Sequence, residues 1–459
     1  MKLFHLTALS PLDGRYHNDL VFLKDIFSEY SLMKFRLKIE INWLKFLSQN
    51  SNIKEISKFS IEETNFLNKI ITNFNEYDAL AIKKIEYDIN HDVKAIEYFL
   101  KSKIKKHDSL KKISEFVHFA CTSEDINNLS YAIMLNISKN NILSIWIKVM
   151  STIKKLALKY SNVTMLSHTH GQPATPSTIG KEMINYVYRI KTQINQFKKI
   201  NILGKINGAV GNYNAHKTAY PNINWHKLSK NFVESLKITW NPYTTQIEPH
   251  DYIAEIFHCM IRFNNILIDF NRDIWGYISL KYFDQKFYKK HIGSSTMPHK
   301  INPILFEKSE GNLGMANAIM QHMANKLPIS RWQRDLTDST VMRNIGVAIG
   351  YSIISYISTI KGIKQLKINK KFLKQALEEN WQVIGEAIQT IMKKYNIKNA
   401  YEKIKKLTQG KNISLQNIHD FIDKLNIPNK EKLFLKNITP NNYIGYAIEL
   451  TNNFNKFIT

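Results

Sequence analysis

Four short stretches of this 459-residue chain concentrate groups that can hold charge or move protons. The densest is 293–303, GSSTMPHKINP. Gly293 opens it and Pro298 and Pro303 bracket Lys300 and Asn302, so the spacing predicts a loop, not a helix. Its hydroxyls, ammonium and amide suit an oxyanion or carboxylate site, with backbone N–H groups and the lysine supplying positive potential. The plain alternative is a polar surface loop. The second stretch, His168-Thr169-His170-Gly171-Gln172-Pro173, places imidazoles at a break from helix to loop. Imidazole titrates near neutrality, which makes it an acid–base candidate. The His-x-His spacing could also ligate a metal, although no third ligand follows at a metal-site spacing, and a structural pair is open too.

In the third stretch, 118–128 (HFACTSEDINN), Thr122 and Ser123 precede Glu124 and Asp125 and then a helical pattern. Hydroxyls and acids at that place mark a helix N-terminus, which either binds an anion or is simply capped. Cys121 reads as a small buried residue. The fourth stretch, 330–344, carries Arg331, Arg334 and Arg343 around Ser339. Guanidinium groups recognise phosphate and carboxylate in bidentate fashion, and Arg/Asp pairing on a helix surface would use the same residues. A further run, GKINGAVG at 204–211, lacks the Gly-Lys-Ser/Thr ending of a phosphate loop and follows no strand. It predicts a tight turn between long helices.

The elements that must carry these groups are helices. Between Arg15 and His170 there is neither Gly nor Pro, although the chain has 16 Gly and 11 Pro. Strands meet turns rich in those residues every ~8 to 12 positions, whereas helices exclude them. Phe35, Ile39, Trp43 and Phe46 recur as a helical stripe. Helices are expected over 181–203, 250–292, 304–327 and 338–365, separated by the Gly/Pro clusters. The expected fold is all-α in three helical domains: 1–112, a central long-helix bundle over 113–365 bearing the 293–303 loop, and 366–459. Helices so long and so apolar need partners on several sides, which points to assembly through a multi-helix core.

Composition bounds the class. The chain is 44% hydrophobic and 22% charged, as soluble globular proteins are. Its two cysteines, Cys121 and Cys259, cannot build a disulfide framework. No apolar run reads as a membrane span, and Pro11, Asp13 and Arg15 interrupt the N-terminus too early for a signal segment. A cytoplasmic protein is expected. The formal net charge of +26 fits a polyanion-binding surface or, because the lysines are spread evenly among Ile and Asn, compositional drift with a taste for anionic substrates. No helix-turn-helix, zinc or RNA-binding aromatic signature supports nucleic acid. The run 101–112 reads as a solvated helix end.

In this order, the stretches resemble the fumarase/aspartase superfamily of lyases, whose signature loop 293–303 is similar to. SPLDGRY (10–16), Asn90-His91-Asp92, TSEDINN, THGQPATPSTIGKE, GKINGAVGNYNAH and RWQRDLTDST resemble one branch, the bacterial adenylosuccinate lyase family. The resemblance covers nearly the whole chain and is weakly diagnostic only beyond about 366. It implies β-elimination of fumarate from adenylosuccinate, giving AMP, and from succinyl-aminoimidazole-carboxamide ribotide, giving the amide. It implies no cofactor and no metal. Ser294 would be the base and His170 the general acid that protonates the leaving nitrogen. A serine base needs strong local positive potential, for which Lys300 and the loop amides are at hand.

The resemblance also assigns binding groups. Thr122 and Ser123 would hold a succinyl carboxylate, with Lys300 and Asn302 opposite. Arg15 and Tyr16, with Arg334, Ser339 and Arg343, would hold the phosphate and ribose. His91, flanked by Asn90 and Asp92, would contact the phosphate or orient the acid, and Gln246 would meet the reacting centre. Ser295 and Thr340 complete the set. The partners implied are anionic nucleotide substrates and three further copies of the chain, in a homotetramer whose sites are shared between subunits; neither nucleic acid nor membrane is expected. One departure stands out: His168 occupies a place where the resemblance leads one to expect Arg or Lys. Argininosuccinate lyase and fumarase share the signature loop, but the phosphate-directed SPLDGRY and RWQRDLTDST segments are not expected in them.

Overall fold

The computed structural model describes residues 3–286, 295–410 and 413–457. Ser294, the expected base, lies outside the described residues. The chain is predominantly helical, with three two-stranded ladders among the described residues. It divides into two compact units: residues 1–145, 193–265 and 311–355 form unit 1, and 146–192, 266–310 and 356–459 form unit 2.

In unit 1 the Glu29–Leu47 helix is capped by Ser28, whose side chain accepts the Ser31 N–H. Ile39 and Trp43 of the expected stripe are fully buried, and Trp43 Nε1 donates to the Phe119 carbonyl at 3.1 Å. The same helix buries two charged residues, Arg36 and Glu40. Their ionised groups require partners there, because an unpaired buried charge is strongly destabilising. Two shorter helices, Glu76–Ile89 and Asp92–Ile104, are separated by Asn90, which takes a left-handed φ of 53°. Asn tolerates that conformation better than most residues. His91 then caps the second helix, its Nδ1 accepting the Lys94 N–H at 3.0 Å.

The GKINGAVG run turns only at its end, where the Gly211 N–H returns to the Gly208 carbonyl at 3.4 Å, and it is not flanked by long helices as expected: a short strand leads into it and the short helix Asn214–Ala219 follows. Residues 204–208 are all buried, Lys205 fully so, and Leu203–Gly204 pairs in parallel with Thr239–Trp240. Glycine is required by close approach at Gly204, where a Cβ would stand 2.7 Å from Leu129.

Unit 2 departs from the sequence reading in two places. Residues 164–178, read as a break followed by a loop, form a hairpin of Thr164–Thr169 against Gln172–Thr178. His170 and Gly171 are its two turn residues, both at positive φ (53° and 72°). Positive φ at both turn positions matches the right-handed twist of the strands, which selects this hairpin over a helix start. The long helix expected over 250–292 ends at Ser279, and Phe283–Gln285 pairs antiparallel with Leu366–Ile368. Lys281 sits at φ 59° while the Tyr282 N–H returns to the Tyr277 carbonyl and the Lys281 N–H to Ile278. That is a Schellman stop, usually built on glycine; with lysine in that position it left no signal.

The other long helices fall close to expectation, at Ile179–Lys199, Ile304–Lys326 and Ile345–Gln365. The stretch Thr337–Gln365 is long and apolar enough to cross a membrane, contrary to the sequence reading, but 78% of its most apolar window is buried inside the protein. It reads as a core helix. The short C-terminal helices of unit 2 enclose their own apolar cluster, which includes Ile384, Ile388, Met392, Ile422 and Leu435.

Candidate active site

Unit 1 assembles much of the expected phosphate end, and does so through residues the sequence reading passed over. Arg36 reaches from the Glu29–Leu47 helix to Asp92 Oδ2 at 2.8 Å, and its Nε donates to Asn127 Oδ1 at 2.8 Å. Arg343 donates to the same Asp92 oxygen at 2.9 Å and to Glu29 Oε2 at 2.5 Å. Asn127 donates to Glu124 Oε1 at 2.8 Å, and Arg334 meets that oxygen at 3.0 Å. Arg334 also lies 3.5 Å from Gln246 Oε1 and 3.8 Å from Asp338. The chain of contacts ends at His250, whose Nε2 is 3.6 Å from Asp338 Oδ2 and whose backbone N–H donates to Glu248 at 2.8 Å. Burial pushes the Asp92 carboxyl up, but Arg36, the Val93 N–H and Arg343 outweigh it and hold the group below its usual range. Burial raises Glu248.

Asp92, Gln246, Arg334 and Arg343 are therefore brought into one network. Arg334 Nε is buried there without a hydrogen-bond partner among the described residues, and Asp338 Oδ2 likewise makes no hydrogen bond beyond its 3.6 Å approach to His250. An unpartnered buried donor is costly, and a ligand oxygen would satisfy it. Ser339 enters only through its backbone N–H, which donates to Asp338 Oδ1 at 2.6 Å. Arg15 and Thr340 are exposed and Tyr16 is half-buried. Asn90 and His91 serve helix ends, as described.

At the other motif the helix Ser123–Lys159 begins where hydroxyls and acids predicted. Thr122 and Ser123 are half-buried, and Asp125 caps the turn by accepting the Thr122 N–H at 2.8 Å. Immediately upstream, His118 and Ala120 hold left-handed φ values of 63° and 57°. His118 Nδ1 lies 2.6 Å from the buried Glu40 Oε1; burial lowers the imidazole but Glu40 more than compensates, and its pKa is raised. Cys121, expected to be buried, is half-buried, and desolvation and the neighbouring Asp125 push its thiol well up, which disfavours the reactive thiolate.

In unit 2 the acid candidate stands at the hairpin tip. His170 is exposed, while the strands below it are anchored in the C-terminal region. Leu166 joins the C-terminal apolar cluster, Thr164 Oγ1 donates to the Asn441 carbonyl at 2.9 Å, and Thr175 Oγ1 to Glu386 at 2.5 Å. His168 is half-buried, its ring centroid 6.2 Å from that of Tyr282, and its Nδ1 is buried without a partner. Of the signature loop, 295–303 is irregular as predicted, and Ser295 and Lys300 are exposed while Asn302 is half-buried. The Lys300 N–H donates to Met297 O at 3.0 Å, and Gln285 holds the Ile301 carbonyl at 3.0 Å. Among the described residues no group of three His, Cys, Asp or Glu has a metal-site arrangement.

Arg36, Glu124, Asn127 and Asp338 were the residues missed. For Arg36 a signal existed: the chain has eight Arg against 56 Lys, and one of the eight stands inside an apolar helix pattern. Where lysine is the default, a retained arginine marks a place that needs a planar fork.

Comparison with known proteins identifies the family. A family model described as lyase matches residues 14–320, and one described as adenylosuccinate lyase C-terminal matches 330–444. The adenylosuccinate lyase of Buchnera aphidicola subsp. Acyrthosiphon pisum is 59% identical, covering 98% of this chain and 99% of its own. That of Haemophilus influenzae is also 59% identical, and that of Escherichia coli K12 is 56% identical, each with the same coverage. In fold, the chain is similar to a crystallised fumarate lyase from Mesorhizobium sp. BNC1, with TM-score 0.76 at 13% identity over 94% of this chain and 97% of that one. A 3-carboxy-cis,cis-muconate lactonizing enzyme from Pseudomonas putida gives TM-score 0.75 at 15% identity over 99% and 98%. The chain belongs to the adenylosuccinate lyase family of the fumarase/aspartase superfamily, and is a carbon–nitrogen lyase of purine biosynthesis.

Proposed function

We propose that the reaction runs as a β-elimination in which His170 is the general acid and Ser294 the base. The observation that carries this reading is the hairpin: an imidazole at an exposed turn, on strands fixed at Leu166, Thr164 and Thr175, is held in place yet open to a ligand. The base removes a Cβ proton from the succinyl group. Electrons move to form the fumarate double bond, the C–N bond breaks, and His170 delivers a proton to the departing nitrogen. Lys300 and the loop amides lower the barrier by stabilising the extra negative charge on the succinyl carboxylate, an effect worth about 10²–10³ in rate when one such donor is removed.

Thr122 and Ser123 hold one carboxylate, with Lys300, Asn302 and Ser295 on the other side. Arg334 and Arg343, with Arg15, Tyr16, Ser339 and Thr340, bind phosphate and ribose. Gln246, beside Arg334, faces the substrate near the reacting bond. His91 uses Nδ1 as a helix cap, which leaves Nε2 for the phosphate; Asn90 and Asp92 fix its position. The substrates are adenylosuccinate and succinyl-aminoimidazole-carboxamide ribotide. Each site draws groups from three copies of a homotetramer, in the cytoplasm, with no metal or cofactor, and the chain is organised as the three segments 1–112, 113–365 and 366–459.

The test is direct. Incubating the purified protein with adenylosuccinate changes the purine absorbance as fumarate leaves. An unchanged spectrum, alongside turnover of argininosuccinate or malate, overturns the substrate assignment. Ser294→Ala should fold and assemble yet lose nearly all turnover; parental kcat removes the base assignment.

A further inference from the structure

The two motifs that looked least chemical, TSEDINN and GKINGAVG, are clamped to each other in unit 1. Asp125 and Lys205 are both fully buried, 2.9 Å apart. An ionised carboxylate offers about four acceptor positions and no donor. Asp125 fills them all: Oδ1 takes the Lys205 ammonium and the Asn207 N–H at 3.0 Å, and Oδ2 takes the Thr122 N–H at 2.8 Å and the Gly208 N–H at 3.1 Å. One turn further along the helix, Asn128 accepts the Lys205 N–H at 2.8 Å and donates to the Lys205 carbonyl at 3.0 Å. The ammonium also reaches the Gly208 carbonyl at 3.3 Å. Beyond this grip the segment turns outward: Gly208 and Gly211 have φ of 86° and 80°, and Ala209, Val210 and Asn212 are exposed.

A buried ion pair of this kind is a poor source of stability, because desolvating both charges offsets most of their attraction. Its specific effect is geometric. The backbone just before Thr122 is left-handed at His118 and Ala120, which is unfavourable for residues bearing a Cβ. The Thr122 N–H that leaves this strained turn ends on Asp125, whose charge is paired with the Lys205 ammonium.

We propose that Asp125 and Lys205 are positioning residues for the elimination: their pair sets the backbone of Thr122 and Ser123, and with it the carboxylate-binding geometry. This rests on the reading that Thr122 and Ser123 hold a succinyl carboxylate. Asn at 125 keeps one acceptor oxygen and turns an NH2 toward N–H donors, so the turn loosens. Lys205→Met removes the matching charge so that no buried cation is stranded.

The experiment is the double variant Asp125→Asn/Lys205→Met, with product inhibition by fumarate and by AMP measured separately. The clamp predicts a cooperative melt, parental assembly, a loss of about 10²-fold in kcat/KM of the kind that small misplacements cause, weakened fumarate inhibition and unchanged AMP inhibition. Parental kcat/KM overturns it, and so does equal weakening of both products, which would mean a general structural role. Thr122→Ala/Ser123→Ala tests the underlying reading separately; if fumarate inhibition survives there, the carboxylate assignment fails whatever the clamp does. Should the double variant not fold, hydrogen exchange on the parent decides. The Thr122, Asn207 and Gly208 amides should then be as protected as the interior of the Ser123–Lys159 helix, and loop-like exchange at these amides overturns the proposal.

Discussion

The guanidinium groups of Arg36, Arg334 and Arg343 in unit 1 are already engaged by Glu29, Asp92 and Glu124, whereas the imidazole of His170 in unit 2 stands exposed at a turn. Both regions carry groups assigned to the same reaction, but the two are prepared differently. The arginine network is set before substrate arrives, so little side-chain freedom is lost on binding. It is also not cationic on balance, since Asp338 adds a further carboxylate near Arg334. The phosphate proposed to bind there would have to add at an open donor such as Arg334 Nε or take the place of a carboxylate. The hairpin holds its backbone firmly and leaves its functional group for others to surround.

The largest expected effect that tests this contrast is at the hairpin. His170→Asn keeps a residue that tolerates the left-handed turn, so folding should be parental while kcat falls by about 10²–10⁴, the usual contribution of a general acid. Stopped assays and a melting curve check both; parental kcat would remove the acid from the tip. In the network, Arg36→Met leaves Asp92 with Arg343 and the Val93 N–H but takes the donor from the buried Asn127 Oδ1, and should destabilise unit 1 by about 1–3 kcal/mol, the cost of an unsatisfied buried polar atom. Denaturant titration measures this, and a change under about 1 kcal/mol, the level of an exposed pair, would mean the network is looser than its distances.

Two histidines of unit 1 predict opposite pH slopes. His216 is fully buried, neither ring nitrogen has a partner, and burial pushes its pKa down from 6.5 to about 4. The unfolded chain then binds a proton that the folded chain refuses, so stability falls as pH drops from 6.5 toward about 4. The loss is on the order of 3 kcal/mol. His118 is raised by Glu40, so its contribution is full below 6.5 and is lost as pH rises through the folded value. His216→Phe should flatten the acid limb of a stability–pH curve and His118→Gln the alkaline limb. An unchanged acid limb in the first variant would show that the ring is solvated.

The smallest effect concerns the exchangeable carboxylate. Glu29 is 42% exposed and pairs with Arg343 at 2.5 Å. If phosphate displaces it, Glu29→Gln should lower KM by no more than about fivefold, within the range of an exposed pair, and the gain should shrink at high salt. A raised KM would mean that Glu29 orients Arg343 for the ligand.

What the sequence made legible follows the same division. Helices announced themselves through the Gly/Pro-free stretch and the stripe at Ile39 and Trp43, and the irregular loop through Pro298 and Pro303. The Ser123 helix start was readable because capping chemistry is local. The hairpin was not, because a His-Gly turn lacks the Asn-Gly or Asp-Gly that usually marks one; nor was the stop at Lys281. The partners Glu124, Asn127 and Asp338 looked like ordinary helix polar residues. Only the fold brings Arg36, 91 positions from Asn127, within hydrogen-bond reach of it.

The proposed sharing of each site between copies of the chain places His170 and Ser294 of one site on different copies. Mixing inactive His170→Asn and Ser294→Ala proteins under conditions of verified subunit exchange tests it. The account predicts that part of the adenylosuccinate-cleaving activity returns in the hybrids; continued silence of a fully exchanged mixture would contradict it.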